Sequence, residues 1–367
     1  MKKTLILLFF YPLIAFTQVN YTITVFTNDA YDGNLFFQRG GSPQKPVKII
    51  DSSGIELFSE NWGMKGWDFK VNYNNKLSYF DRSSKGWFIM DSLKNEIDSV
   101  YAKNGYIADN HDFLALPNGN YVLFCYDNQP YAMDTVIAGG DPNAIIEGLI
   151  IQEIDSNHNL IFEWKSWDHF HVTDNTYLSP WTGSQLNFIH ANAIDIDFDG
   201  HFIISSRGLD EITKIHRTTG EVIWRWGGSQ NEFTFINDYP FTHQHSIRSL
   251  GDNRYLLYDN GNHSDTYIGV KLSRAVEYEL DTNLMTAEKL YEKLTNFGHH
   301  DEFELSGLTV DDLKKKIKEK KVFFNHFMDK ENYKERWEYD YKLKKIENNL
   351  LPQYIVNNPE KFDEWFD

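Results

Sequence analysis

Two short hairpin signatures alternate along this chain, and that alternation narrows the possible folds more than any other feature of it. The first is an apolar strand, a polar turn around Asp, Asn or Gly, and a return strand ending in an aromatic. It reads Val47-Lys48-Ile49-Ile50-Asp51-Ser52-Ser53-Gly54-Ile55-Glu56-Leu57-Phe58 and returns around Phe88-Ile89-Met90-Asp91. It recurs as Ile151 to Asp155 with Leu160 to Trp164, as Ile212 to Trp226, and more weakly from Ala275 to Tyr291. The second signature opens with histidine. It runs from His111 to Phe124 around Pro117-Asn118-Gly119-Asn120, from His190 to Ile204 around Asp199-Gly200, and from His245 to Leu257 around Gly251-Asp252-Asn253. Strand alternation broken by such turn residues is hairpin chemistry. Two alternating hairpins make a four-stranded unit, and units repeating every roughly 40–65 residues mark a β-propeller. A β-sandwich also contains hairpins, but it gives no reason for two kinds to alternate. The expected fold class is therefore all-β, a β-propeller, with a helical appendage at the C-terminus.

That appendage begins where the pattern stops. From Leu308 the chain is rich in Lys and Glu, and Thr309 with Asp312 three residues on resembles a capping box. The dense charge from Lys314 to Lys321 reads as a solvated helix face. Phe323, Phe324, Phe327 and Trp337 are the apolar residues expected to dock it on the last strand of the ring. At the other end, Lys2 and Lys3 precede an apolar run from Leu5 to Phe16, the layout of a secretory signal peptide. The run is shorter than the ~20 residues a membrane span needs and Pro12 interrupts it. The expected division is a signal peptide over 1–17, a propeller over 18–292 and a helical tail over 293–367. No membrane span is expected after cleavage, and the mature chain is expected to be periplasmic or secreted.

Composition removes several function classes. The 10 Trp, 21 Tyr and 27 Phe exclude a disordered chain. A net charge of -17 opposes a nucleic-acid partner, because binders of phosphate backbones carry basic stripes. The single cysteine, Cys125, leaves no intramolecular disulfide and no cysteine-rich zinc site.

In a propeller the innermost strands line a central channel, so residues that open equivalent strands meet at one mouth. His111, His190 and His245 are such residues, and three in register point to a functional site. Arg207 ends the strand Phe202 to Ser206 in the unit opened by His190. Its planar fork suits a tetrahedral oxyanion, although an ion pair with Asp210 or Glu211 is an equal alternative. Trp167-Asp168-His169-Phe170-His171 adds Asp168 and His169, a carboxylate beside imidazoles. His243-Gln244-His245 also invites a metal reading, which an arginine in the same cluster disfavours.

Several segments carry a resemblance. They are Phe188 to Ile194, Ile203 to Arg207, Thr219 to Gly228, Gln244-His245, Tyr258-Asp259-Asn260-Gly261 and Ser273-Arg274. Together, over roughly residues 75 to 292, they resemble the bacterial arylsulfate sulfotransferases, six-bladed propellers that act outside the cytoplasm. The resemblance implies transfer of a sulfuryl group from a phenolic sulfate ester to a phenol, with no nucleotide donor, no cofactor and no metal. It implies that His245 is the nucleophile, transiently sulfated. His190 and Asn192 match the family's His-x-Asn motif, Arg207 its arginine, and His111 its histidine before a Pro-Asn-Gly-Asn turn. Asn192, His169 and Asp168 are then the candidates for binding substrate. The family has a longer C-terminal part that completes the sixth blade, so either the ring closes differently here or it is incomplete. The competing reading is a non-catalytic extracytoplasmic binding propeller, in which the same residues need not converge.

Overall fold

The computed structural model describes residues 33–38, 46–175, 182–262 and 273–295. The signal peptide expected over 1–17 lies outside the described residues, as does the helical tail expected over 293–367 except for residues 293–295, which belong to a strand.

Among the described residues twenty-one strands form five sheets, arranged as the blades of a β-propeller. The first blade holds β1 (Leu35–Gln38), β2 (Pro46–Ile50) and β3 (Glu56–Asn61). The second is β4 (Trp67–Val71), β5 (Leu77–Asp81), β6 (Gly86–Met90) and β7 (Glu96–Val100). The third is β8 (Ile107–Ala115), β9 (Tyr121–Tyr131), β10 (Ala144–Ile154) and β11 (Leu160–Lys165), with β12 (Gln185–Asn187) added parallel to β10. The fourth is β13 (Ala191–Ile196), β14 (Phe202–Ser206), β15 (Glu211–Ile215) and β16 (Val222–Gly227). In the fifth, β17 (Thr234–Ile236) runs parallel to the edge of β18 (His245–Gly251), β19 (Arg254–Asp259), β20 (Ser273–Asp281) and β21 (Thr286–Thr295), pairing with β21. All other neighbours are antiparallel, in meander order.

The two hairpin signatures have separate places in a blade. The histidine-led hairpins are the first two strands of the third, fourth and fifth blades. The others are outer hairpins, and their turns share one mechanism. Asp51, Asp91 and Asp155 each accept two backbone N–H bonds from the turn that follows, at 2.8–2.9 Å. The chain then passes through a left-handed residue, Gly54, Lys94 or His158. An aspartate that bonds its own turn in this way needs no tertiary partner. In the fourth blade His216 takes the aspartate's place, its Nδ1 accepting from Thr218 and Thr219 at 3.3 and 3.1 Å. His158 and His216 are thus turn residues.

Aromatic side chains fill the space between blades. Trp87 stacks on Phe113 at 4.8 Å between the second and third blades. Trp226 meets Phe241 and Tyr278 edge-on at 4.9 and 5.0 Å between the fourth and fifth. The first strands of four blades are tied across the axis by charge. Asp112 on β8 pairs with Lys70 on β4 and accepts from Ile194 N on β13 at 2.9 Å and from Arg248 on β18 at 3.2 Å. Asp195 on β13 accepts from Ser249 N at 2.9 Å and from Tyr73. These buried contacts fix the relative height of the inner strands, and with it the height of the histidines that precede or interrupt them.

Candidate functional site

His111 sits inside a bulge. Pairing of β8 with β9 lapses between Ala108 and Phe113, and a bulge re-aims side chains. In that gap one oxygen of Asp109 accepts the His111 backbone N–H at 2.9 Å and lies 2.6 Å from ring Nδ1. The His111 ring meets His190 edge-on, with centroids 5.0 Å apart.

His190 immediately precedes β13 in a left-handed conformation, φ 47°. Such a residue persists only where its surroundings hold it. Asn187 at the end of β12 accepts its N–H at 2.8 Å and places an amide nitrogen 3.5 Å from its Nδ1. Its carbonyl accepts from Arg207 N at 3.0 Å, and Ile189 O accepts from Gly208 N at 2.7 Å. A Cβ at Gly208 would lie 2.6 Å from Phe188 O, so only glycine allows this close crossing. The result is a helical turn at Arg207–Leu209 that starts Arg207 beside His190.

His245 opens β18 between two left-handed residues, His243 (φ 50°) and Ser246 (φ 58°). Buried Gln244 anchors the segment. It donates to Ser205 Oγ at 3.1 Å and Glu211 O at 2.9 Å, and its own carbonyl accepts from Asn192 at 2.7 Å. Asp210 accepts the His243 N–H at 2.5 Å. His243 O in turn lies 3.0 Å from His245 Nδ1 and accepts from the Asn260 amide at 2.5 Å. The Asn260 amide nitrogen also lies 2.9 Å from His245 Nδ1, so the His243 carbonyl and the Asn260 amide together hold that edge of the ring and leave Nε2 as the other ring nitrogen.

The guanidinium of Arg207 is half-buried and has no ion pair among the described residues. Glu211 is instead held by Arg225 at 2.9 Å, and Asp210 serves His243. The ion-pair alternative weighed from the sequence thus finds no partner there. Burial lowers the Arg207 pKa against the pull of Asp210. His190 is pushed down to about 4, first by burial and then by the charges of His111, Arg207 and His245. His111, Arg207 and His245 thus each lie within electrostatic reach of His190.

The remaining candidates lie elsewhere. Asn192 is buried under the cluster, with its amide nitrogen on the Gln244 carbonyl and its oxygen without a partner. His169 stacks flat on Trp164 at 5.0 Å, on outer strand β11. Asp168 lines an open cleft with Tyr106, Asp127, Tyr131, Lys165 and Trp167. None of these contacts of Asp168 and His169 reaches the histidine cluster. Asp109, Asn187 and Asn260 contact the three rings at Nδ1; sequence reasoning passed over the first two and met Asn260 only inside a segment of the resemblance. The only signal for Asp109 was its place two residues before a histidine. Among the described residues no three His, Cys, Asp or Glu converge as metal ligands would.

Three histidines and an arginine that has no ion pair among the described residues, gathered at one end of the inner strands, offer donors that suit a small anion. The chain belongs to the arylsulfotransferase (ASST) family, whose model matches residues 34–300. No relative was found among curated proteins. Solved structures with a similar fold include a Bacteroides caccae protein of unknown function, at 13% identity and TM-score 0.40 over 72% of this chain and 74% of that one. Virginiamycin B lyase from Staphylococcus aureus is similar at 10% identity and TM-score 0.37, over 72% and 81%. Likeness at this level says nothing about activity. The family as a whole supports arylsulfotransferase activity and small-molecule substrates. No helix among the described residues is long and apolar enough to cross a membrane.

Proposed function

We propose that this protein moves a sulfuryl group from a phenolic sulfate ester to a phenol through an N-sulfohistidine at His245. The observation that carries the reading is the different engagement of Nδ1 in each clustered histidine. His245 is held at Nδ1 by the His243 carbonyl and the Asn260 amide, and the reading assigns it the tautomer with hydrogen on Nδ1, which leaves the Nε2 lone pair as nucleophile. His190 is neutral and receives at Nδ1 from Asn187, which leaves Nε2–H as a donor to a sulfuryl oxygen. His111 faces a carboxylate through Nδ1 and can lend a proton from Nε2.

In the first half-reaction the Nε2 lone pair of His245 attacks sulfur, the sulfur–oxygen ester bond breaks, and phenolate leaves with a proton from His111. In the second, the acceptor's oxygen attacks sulfur, the sulfur–nitrogen bond breaks, and the acceptor's proton returns to His111. A covalent intermediate divides one hard displacement into two easier ones. Charge spread over the equatorial oxygens, as in phosphoryl transfer, calls for fixed donors, and Arg207 and His190 supply them. Bound nitrophenyl sulfate and phenol should therefore yield nitrophenol and phenyl sulfate, detected by mass. Release of nitrophenol that does not depend on any acceptor, with no phenyl sulfate formed, contradicts transfer.

Arg207→Lys is expected to lose about 10²–10³ in kcat/KM, because a point charge cannot reproduce two parallel contacts to sulfuryl oxygens. A loss under tenfold would assign Arg207 to a peripheral role. We further propose that the protein acts outside the cytoplasm after cleavage following Thr17. N-terminal sequencing of protein recovered outside the cytoplasm should then begin at Gln18, and an intact Met1 would count against it.

A further inference from the structure

Resting on that reading, we propose that Asp109 is a positioning residue that makes His111, and not the neighbouring His190, the proton donor to the departing phenolate. Asp109 itself touches no reacting atom in the scheme above. Its carboxylate oxygen receives both the backbone N–H and the ring Nδ1 of His111, at 2.9 and 2.6 Å. Two bonds to one oxygen fix the ring's rotation as well as its tautomer, and they leave Nε2 facing away from the carboxylate. Asp109 is itself held from behind, since its carbonyl accepts from Trp87 Nε1 at 3.1 Å.

The two imidazoles are too close to be charged together without mutual cost. Their surroundings decide which one holds the proton. Burial works against protonation of His111, but the hydrogen bond and charge of Asp109, aided by Asp112 beside it and Asp68 from β4, outweigh burial and raise it. His190 faces His111, Arg207 and His245 and is driven the other way, to about 4. Neighbouring groups pushed apart in this manner are an acid and a neutral partner. Asp109 is the group that separates them: among the described residues it is the carboxylate bonded to a ring of the pair, whereas Glu147 on β10 acts on His111 and Asp109 through charge alone and bonds Asn187.

The test is Asp109→Asn, assayed with aryl sulfates whose phenols become progressively poorer leaving groups. Demand for a proton donor grows along that series. The variant is expected to lose about tenfold or less with nitrophenyl sulfate and about 100-fold or more with phenyl sulfate, within the usual range for general acid catalysis. The alkaline limb of kcat/KM reports loss of the His111 proton. Removing Asp109 lowers the His111 pKa, so this limb should move to lower pH. Equal losses across the series with an unmoved limb would reduce Asp109 to a structural residue and overturn the proposal. Histidine NMR titration of the unliganded protein reads the pairing without turnover. The His111 midpoint should fall in Asp109→Asn. An unmoved His111 midpoint overturns the proposal even in an active enzyme. A shifted midpoint in a protein that transfers no sulfuryl group preserves the pairing and removes the function proposed for the site.

Discussion

His245→Ala is expected to abolish phenol release from aryl sulfates, a loss of about 10⁴–10⁶-fold, as when an enzyme loses its covalent nucleophile. The side chain it removes contributes little to the fold. His245 is half-buried, and the bonds that hold its segment come from Gln244, Asn192, Asp210 and Asn260. The variant should therefore match the parent in circular dichroism and in its unfolding midpoint while turnover disappears. Turnover within tenfold of the parent would show that another group attacks sulfur.

The second large effect concerns stability. Arg274 is fully buried on β20 and bridges three carboxylates. It lies 2.7 Å from Asp238, 2.9 Å from Asp259 and 3.3 Å from Glu292. Asp238 and Asp259 are themselves buried. Among the described residues, Arg274→Met would leave buried Asp259 without a cation and Asp238 with only Lys289, 3.4 Å away, and breaking a buried pair from one side costs about 3–5 kcal/mol. The consequence reaches the site. Asp259 accepts backbone N–H bonds from Thr242 and Gly261 at 2.9 and 2.8 Å, on either side of the contact between Asn260 and His243. Urea unfolding should show the loss, and turnover per folded molecule should fall as well. A cost under about 1 kcal/mol would mean that water or a rearranged partner reaches those carboxylates, at the level of an exposed pair.

Much of this was legible because its causes are local. The outer turns declare themselves through an aspartate that bonds the turn it begins, and the inner hairpins through histidine and a glycine- or asparagine-rich turn. Ser273-Arg274 stood out only as part of a resemblance, since its three carboxylate partners come from distant segments. β12 and β17 escaped notice because three residues carry no alternation to read. The outward extension of β9 and β10, which brings Glu147 against Asn187, merges in the sequence with ordinary strand. Asp168 and His169 looked suitable because they adjoin each other in sequence. Adjacency does not reveal that β11 is an outer strand, and Trp164 takes up the His169 ring there. Asp109 was missed for the opposite reason. Its importance depends on a bulge that exists only once β8 has paired with β9.

The most direct test of the central claim is the intact mass of the protein after brief exposure to nitrophenyl sulfate without acceptor, followed by peptide mapping under alkaline conditions, where an N-sulfo group is held best. The account predicts a gain of one sulfuryl group per chain, located on the peptide carrying His245, absent from His245→Ala and lost when phenol is added. An unchanged mass while nitrophenol is released, or a sulfuryl group on any other residue, would contradict it.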